Sequence, residues 1–391
     1  MRLFLLSLCI LFCGIVSSAQ EKYPLDIKAN STFTVDKVLD LGGKALKLPE
    51  GVTLKFGKRG AIVNGVVRGR GTRLDGKAEG IFKGVEIRGS WIVPVISSDM
   101  FTDISEENAL VQLFALTSPE IGNVVTIKPG DYTLTAKEGA PNVISVTSNT
   151  RVVIDGRIIL KTNALDTYRM FDVQGENIIF QGKGSIEGDR DSHTGTEGEW
   201  GMGISVLRSK NVIIENLNIK DCWGDCIYIG KRSENVVIRN CHLDNSRRQG
   251  VSIVSAKSVY ISDCLITNIH GTNPQYGIDV EPNRRDTVDF VAVSRVNIVD
   301  CKGGITVSCS PTKECQVSRI EIRDCNVSGG VERYSYKFSN TNTVVVKNCT
   351  GVKRNIRFKG ITNVYAENNR ISHLEDKSTY QISRCVNVVR R

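Results

Sequence analysis

The sequence lacks any block of consecutive lysines and arginines, although Lys+Arg 51 against Asp+Glu 42 make it basic overall. A basic balance favours an anionic partner. Without a concentrated cationic stretch, and with the export signal described next, nucleic acid fits poorly and an acidic glycan fits better. Long apolar runs are also missing. The only one, Leu3 to Val16, follows Arg2 and ends in Ser17-Ser18-Ala19. It is too short for a membrane span and has the layout of a secretory leader, so residues 1–19 are expected to be removed and the product to be secreted or periplasmic. The four histidines do not accompany Cys222/Cys226 or Cys309/Cys315, which removes zinc from consideration and leaves these as pairs to examine for disulfides. No metal site is read elsewhere.

What the sequence has in quantity is repetition. β-branched triplets behind a polar residue recur at Asn177-Ile178-Ile179, Asn211-Val212-Ile213, Asn235-Val236-Val237, Ser258-Val259-Tyr260, Arg319-Ile320-Glu321, Thr343-Val344-Val345 and Asn363-Val364-Tyr365. Most are followed at one offset by Asn or Asp: Asn216, Asn240, Asp263, Asp324, Asn348 and Asn368. These residues tolerate left-handed backbone and suit a tight bend. A second ladder of apolar-x-apolar centres begins at Ile144, Phe171, Ile204, Ile227, Val251, Ile278, Ile305 and Val331, mostly 23 to 27 residues apart. Short strands at that period leave almost no room for helices. The Leu-x-x-Leu-x-Leu pattern of leucine-rich repeats is absent. The fold class is therefore all-β, a right-handed parallel β-helix.

In such a solenoid like residues stack above like. Cys241, Cys264, Cys325 and Cys349 directly follow the bend residue, in register with Leu217 and Val296, and are expected as an interior stack of small side chains. The Gly-rich segment 20–104, with Leu41-Gly42-Gly43-Lys44 and Arg68-Gly69-Arg70-Gly71-Thr72, forms either a β cap or further coils. Ser105-Glu106-Glu107-Asn108 opens a predicted capping helix over 105–117, with the solenoid occupying 105–391.

The following strand ends in Pro129-Gly130-Asp131-Tyr132 and is continued by the glycine-rich Gly182-Lys183-Gly184-Ser185-Ile186-Glu187-Gly188-Asp189. These stretches resemble the pectate-lyase-like β-helix superfamily, which includes polygalacturonases and tailspike depolymerases. Trp223-Gly224-Asp225-Cys226 is similar to the Gly-Asp-Asp-Cys segment of polygalacturonases, with one aspartate fewer, and the Asn-Thr-Asp, Gly-His-Gly and Arg-Ile-Lys motifs of that family are absent. The resemblance implies carbohydrate binding on the coils around Asp225.

Strand alternation places Tyr228, Ser252 and Asp279 in one outward column, with Glu281 two residues beyond Asp279 on the same face, about 7 Å between backbones. Two carboxyl groups at such spacing can divide acid and base or nucleophile roles in glycoside hydrolysis, so Asp279 and Glu281 are the leading catalytic candidates. Asp225, two coils away, is expected to position substrate. Arg247 and Arg248 could bind an acidic group of the glycan or pair with nearby aspartates. The insertion from Gly188 to Trp200 offers His193 as a possible base and Trp200 as a sugar-stacking platform. Hydrolysis of an acidic or branched polysaccharide needs no cofactor. A lyase removing a proton beside a uronate carboxylate is the alternative, with Arg or Ca2+ neutralising that carboxylate. A non-catalytic glycan-binding solenoid is the third.

Overall fold

The computed structural model describes residues 26–104, 107, 109–372 and 378–391; the expected leader lies outside them. From Val95 onward the chain winds into three parallel sheets. One has ten strands from Asn142–Val146 to Tyr380–Ser383, one has twelve from Val95–Ser97 to Asn387–Arg390, and one has ten from Asp131–Leu134 to Arg370–Ser372. Each complete coil contributes one strand to each sheet, and every pairing between strands of these sheets is parallel. Branched side chains pointing inward form one continuous interior, from Ile144 and Ile204 through Ile227, Val251 and Ile278 to Phe338 and Phe358. Burying each contributes about 1.5–3 kcal/mol, which repeated coil after coil offsets the entropy of ordering so long a chain.

Left-handed residues make the corners. Asn216, Asn240, Asp263, Arg295, Asp324, Asn348 and Asn368 all have φ between 52° and 58°. Behind them Cys241, Cys264, Cys325 and Cys349 are buried, each thiol donating to the carbonyl two residues earlier, as Cys264 Sγ does to Ser262 O at 3.1 Å. Cys222, Cys226, Cys309 and Cys315 are free thiols. A second corner carries a side-chain ladder in which the amides of Asn177, Asn211 and Asn235 each donate at 3.1 Å to the asparagine of the preceding coil.

Two features differ from the sequence reading. The inward apolar ladder continues from Ile305 to Tyr336, not Val331, because Val331 is buried in a lengthened turn that postpones the strand to Tyr336–Ser339. The helix over 105–117 is a single turn, Val111–Phe114, with residues 105, 106 and 108 outside the described set. That turn nevertheless joins two regions. Gln112 Oε1 accepts the Ile87 N–H at 2.7 Å, and Phe114 packs edge-on against Phe171. Segment 32–92 forms a six-stranded sheet whose pairings are again all parallel, so it continues the coiling in narrower form. No helix among the described residues is long and apolar enough to cross a membrane.

Candidate functional site

The ten-stranded sheet containing Ile227 and Ile278 carries the candidate site on its outer face. Its strands do not alternate throughout. Gly250 and Gly277 turn inward, where a Cβ would meet Ile266 and Ile298, and each precedes another inward residue, Val251 or Ile278. This break sets two outward columns three residues apart. The first stacks Met202, Asp225, Gln249 and Tyr276; the second stacks Asp172, Ser205, Tyr228, Ser252, Asp279 and Thr306. Tyr228, Ser252 and Asp279 thus share one column. The middle residues of Phe171-Asp172-Val173, Ile204-Ser205-Val206 and Ile305-Thr306-Val307 extend it, and the same apolar-x-apolar signal points to them.

Two carboxyl groups are enclosed here. Asp225 is fully buried and Asp279 is 1 % exposed. Arg248 spans the gap beside Asp225, donating from Nη1 to its two carboxylate oxygens at 3.3 and 3.1 Å, with Glu199 3.4 Å from its Nε. Gln249 Nε2 donates to Asp279 Oδ2 at 2.7 Å. Burial pushes the Asp225 carboxyl up to about 7 against the attraction of Arg248. Burial, then the charge of Glu281, pushes Asp279 to about 7 as well, opposed by Arg248 and the Gln249 hydrogen bond. Asp279 Oδ1, Ser205 Oγ and Thr306 Oγ1 have no hydrogen-bond partner among the described residues. Each is closed off from solvent, so its hydrogen-bonding capacity is left unmet by the protein. Glu281 is partly exposed, and Lys313 Nζ lies 3.4 Å from its Oε1.

The other sequence candidates fall into two groups. Tyr228 covers Gly230, and burial raises its phenol, with the Asp225 charge adding to the shift. Trp200, directly after Glu199, is 49 % exposed at the start of its strand and stands open to solvent. Arg247, Trp223 and His193 instead form a stack within the wall. The guanidinium lies 3.7 Å from the Trp223 ring and donates to Gly198 O, and the His193 imidazole stacks on Trp223 with ring centroids 3.9 Å apart. His193, a possible base by its place in the insertion, is enclosed, because buried Asp189 draws its Nδ1 to 2.8 Å. Asp189 also accepts from Tyr168 and Asn163, which fastens the insertion to the solenoid. Arg248 is engaged by Asp225 and Glu199. Glu199 and the Gln249 contact depend on loop folding and on adjacency of coils, and no spacing in the sequence signals them. No group of three or more His, Cys, Asp or Glu side chains suited to a metal occurs among the described residues.

Comparison with known proteins agrees with the architecture. Residues 137–289 match the family described as right handed beta helix region. The matched residues lie within the three parallel sheets of the solenoid. It is 34 % identical over 177 residues to uncharacterized protein YclG of Bacillus subtilis strain 168, covering 40 % of this chain and 30 % of that protein. It is 30 % identical over 223 residues to the SPbeta prophage-derived uncharacterized protein YorA of the same strain, covering 49 % and 36 %. The aligned stretches thus span about a third of the length of these relatives. A family 28 exopolygalacturonase of Yersinia enterocolitica superposes with a TM-score of 0.48 at 11 % identity, over 75 % of this chain and 78 % of that one.

Proposed function

We propose that the protein is a glycoside hydrolase acting, after export, on an acidic or branched polysaccharide laid along the outer face of the ten-stranded sheet. The observation that carries this reading is Asp279, a buried carboxyl raised to about 7 on a strand face, one oxygen held by Gln249 and the other without a partner among the described residues. A carboxyl still protonated near neutral pH can donate to a glycosidic oxygen, which an ordinary aspartate cannot do effectively. Glu281, beside Lys313 and two residues along the same face, supplies the second carboxylate. As Asp279 gives up its proton, Arg248 and Gln249 stabilise the anion that forms. Asp225, paired with Arg248, holds that guanidinium in place, and Trp200 offers a flat face for a sugar ring.

The test is incubation of the full chain, with and without EDTA, against acidic and neutral polysaccharides, following reducing ends and ultraviolet absorbance. New reducing ends without absorbance, lost in Asp279→Asn, are expected. Absorbance rising with the reducing ends would replace hydrolysis by elimination. Binding with neither signal on any glycan would leave a non-catalytic solenoid.

A further inference from the structure

The outer face changes character beyond Thr306. Its column continues in register with Lys337, then Arg357 on the next coil, and Lys359 stands two residues beyond Arg357 on the same side. Tyr334 lies alongside, with the guanidinium carbons of Arg357 and Arg354 at 5.4 and 5.6 Å from its ring, and its hydroxyl accepts from Arg357 Nη1 at 3.3 Å. Arg333, one residue earlier, donates to Asn273 on the turn that precedes the Asp279 strand.

Like charges on facing strand positions repel and weaken a sheet. Elsewhere in this solenoid a carboxylate relieves such stacking. Arg323 faces Lys347, but Glu321 takes Arg323 and Glu367 takes Lys347. No ion pair of that kind forms at Lys337, Arg357 or Lys359 among the described residues, where the nearby acids Glu281 and Glu332 are engaged by Lys313 and Lys302. These three cations are only partly exposed, so their stems pack on the solenoid while their charged ends line the face. A partly desolvated cation cluster with an adjoining aromatic ring matches a sugar ring bearing an anion: the ring packs on the tyrosine and the anion accepts from the charged nitrogens.

We infer that Lys337, Arg357, Lys359 and Tyr334 form a binding subsite for an anionic group, carboxylate or sulfate, on the polysaccharide. The subsite lies two to three coils from Asp279, a span of roughly 10–14 Å at the strand spacing. It rests on the reading that glycan lies along this face, and deepens it by assigning the chain its charge preference. The arginines expected from sequence to meet the anion are committed within the wall, so recognition of charge passes to this later part of the ladder. The solenoid rise fixes the separation between the bond at Asp279 and the charged sugar.

Equilibrium binding of the full chain to polygalacturonate fragments, dextran sulfate and neutral dextran tests the subsite without requiring turnover. The wild type is expected to prefer one or both anionic probes over dextran, with affinity falling as salt rises. Preference for polygalacturonate identifies the anion as carboxylate, and preference for dextran sulfate identifies it as sulfate. The triple substitution Lys337→Gln, Arg357→Gln, Lys359→Gln is expected to weaken the preferred anionic probe by about tenfold or more, with the melting temperature retained. Arg357→Gln alone, should the triple variant not fold, is expected to weaken it about fivefold. Equal affinity of wild type and folded variant for the anionic probes, or no preference for them over dextran, overturns the subsite. Loss of anion binding in the variants with no polysaccharide cleaved by any form would sink hydrolysis while leaving the subsite standing.

Discussion

The outer face of one sheet has two halves made by the same strand pattern and used in opposite ways. Around Asp225 and Asp279, ionisable groups are enclosed: Arg248, its side chain 14 % exposed, lies between carboxylates, and both aspartates are pushed to about 7. Around Lys337 and Arg357, the charged ends are partly exposed and make no ion pairs among the described residues. Enclosure changes the chemistry of a group, and exposure preserves its charge. A solenoid can place both kinds of position in one column because each coil repeats the backbone geometry while the adjoining turns differ in length. The insertion of Gly188 to Trp200 precedes the first half, is fastened by Asp189, and brings Glu199 to Arg248.

The largest expected effect falls on turnover. Asp279→Asn keeps the shape of the side chain but removes the transferable proton, and is expected to lower the rate of reducing-end release by about 10²–10⁴-fold with the melting temperature little changed. Lys337→Gln is expected to leave the rate on a neutral substrate within a few-fold.

Stability divides the halves in the same way. Arg248→Ala leaves Asp225 buried without its cation, and is expected to cost about 3–5 kcal/mol in denaturant unfolding. Arg357→Ala, in the open half, is expected to change stability by no more than about 0.5 kcal/mol in the same measurement. Equal costs would show that the two halves do not differ in enclosure.

The pH dependence follows from the raised carboxyls. Asp225 and Asp279 hold their protons up to about 7 in the folded protein and only to about 3.9 when unfolded, so between these values the folded state binds more protons. Stability therefore falls as pH rises from about 4 to about 7, by up to a few kcal/mol. Asp279→Asn, which cannot ionise, is expected to flatten part of that slope in unfolding midpoints measured across this range. Activity on a neutral glycan is expected to decline as pH passes about 7, where Asp279 loses its proton.

An effect between those of Arg248→Ala and Arg357→Ala belongs to the corners, away from either half. Asn211 has φ 56° and its side chain links Asn177 to Asn235. Asn211→Ala loses both amide hydrogen bonds and the tolerance of left-handed backbone, at about 1–2 kcal/mol by thermal or denaturant unfolding.

Much of this was legible in the residues. The Asn and Asp bends, the cysteine stack and the ladder from Ile144 to Ile305 follow from a period that recurs because every coil must bury the same few positions. The ladder broke at Val331, where the turn lengthens and another apolar residue occupies the expected place. The column of Tyr228, Ser252 and Asp279 was readable from alternation, since side-chain direction along a strand is a local property.

Protonation and access were not readable, because they depend on what covers a group. His193 and Trp200 lie on the same insertion, yet Asp189 and Trp223 enclose one and solvent reaches the other. Arg247 and Arg248 are neighbours in sequence, yet one stacks on an indole and the other lies between carboxylates. The sequence by itself determined the coil, its corners and the outward columns, because these arise from period, backbone preference and burial within one turn. The tertiary structure alone decided which carboxyls are enclosed, which cations remain unpaired and where along the ladder the two halves meet, because electrostatic environment is set by residues brought together from different coils and loops.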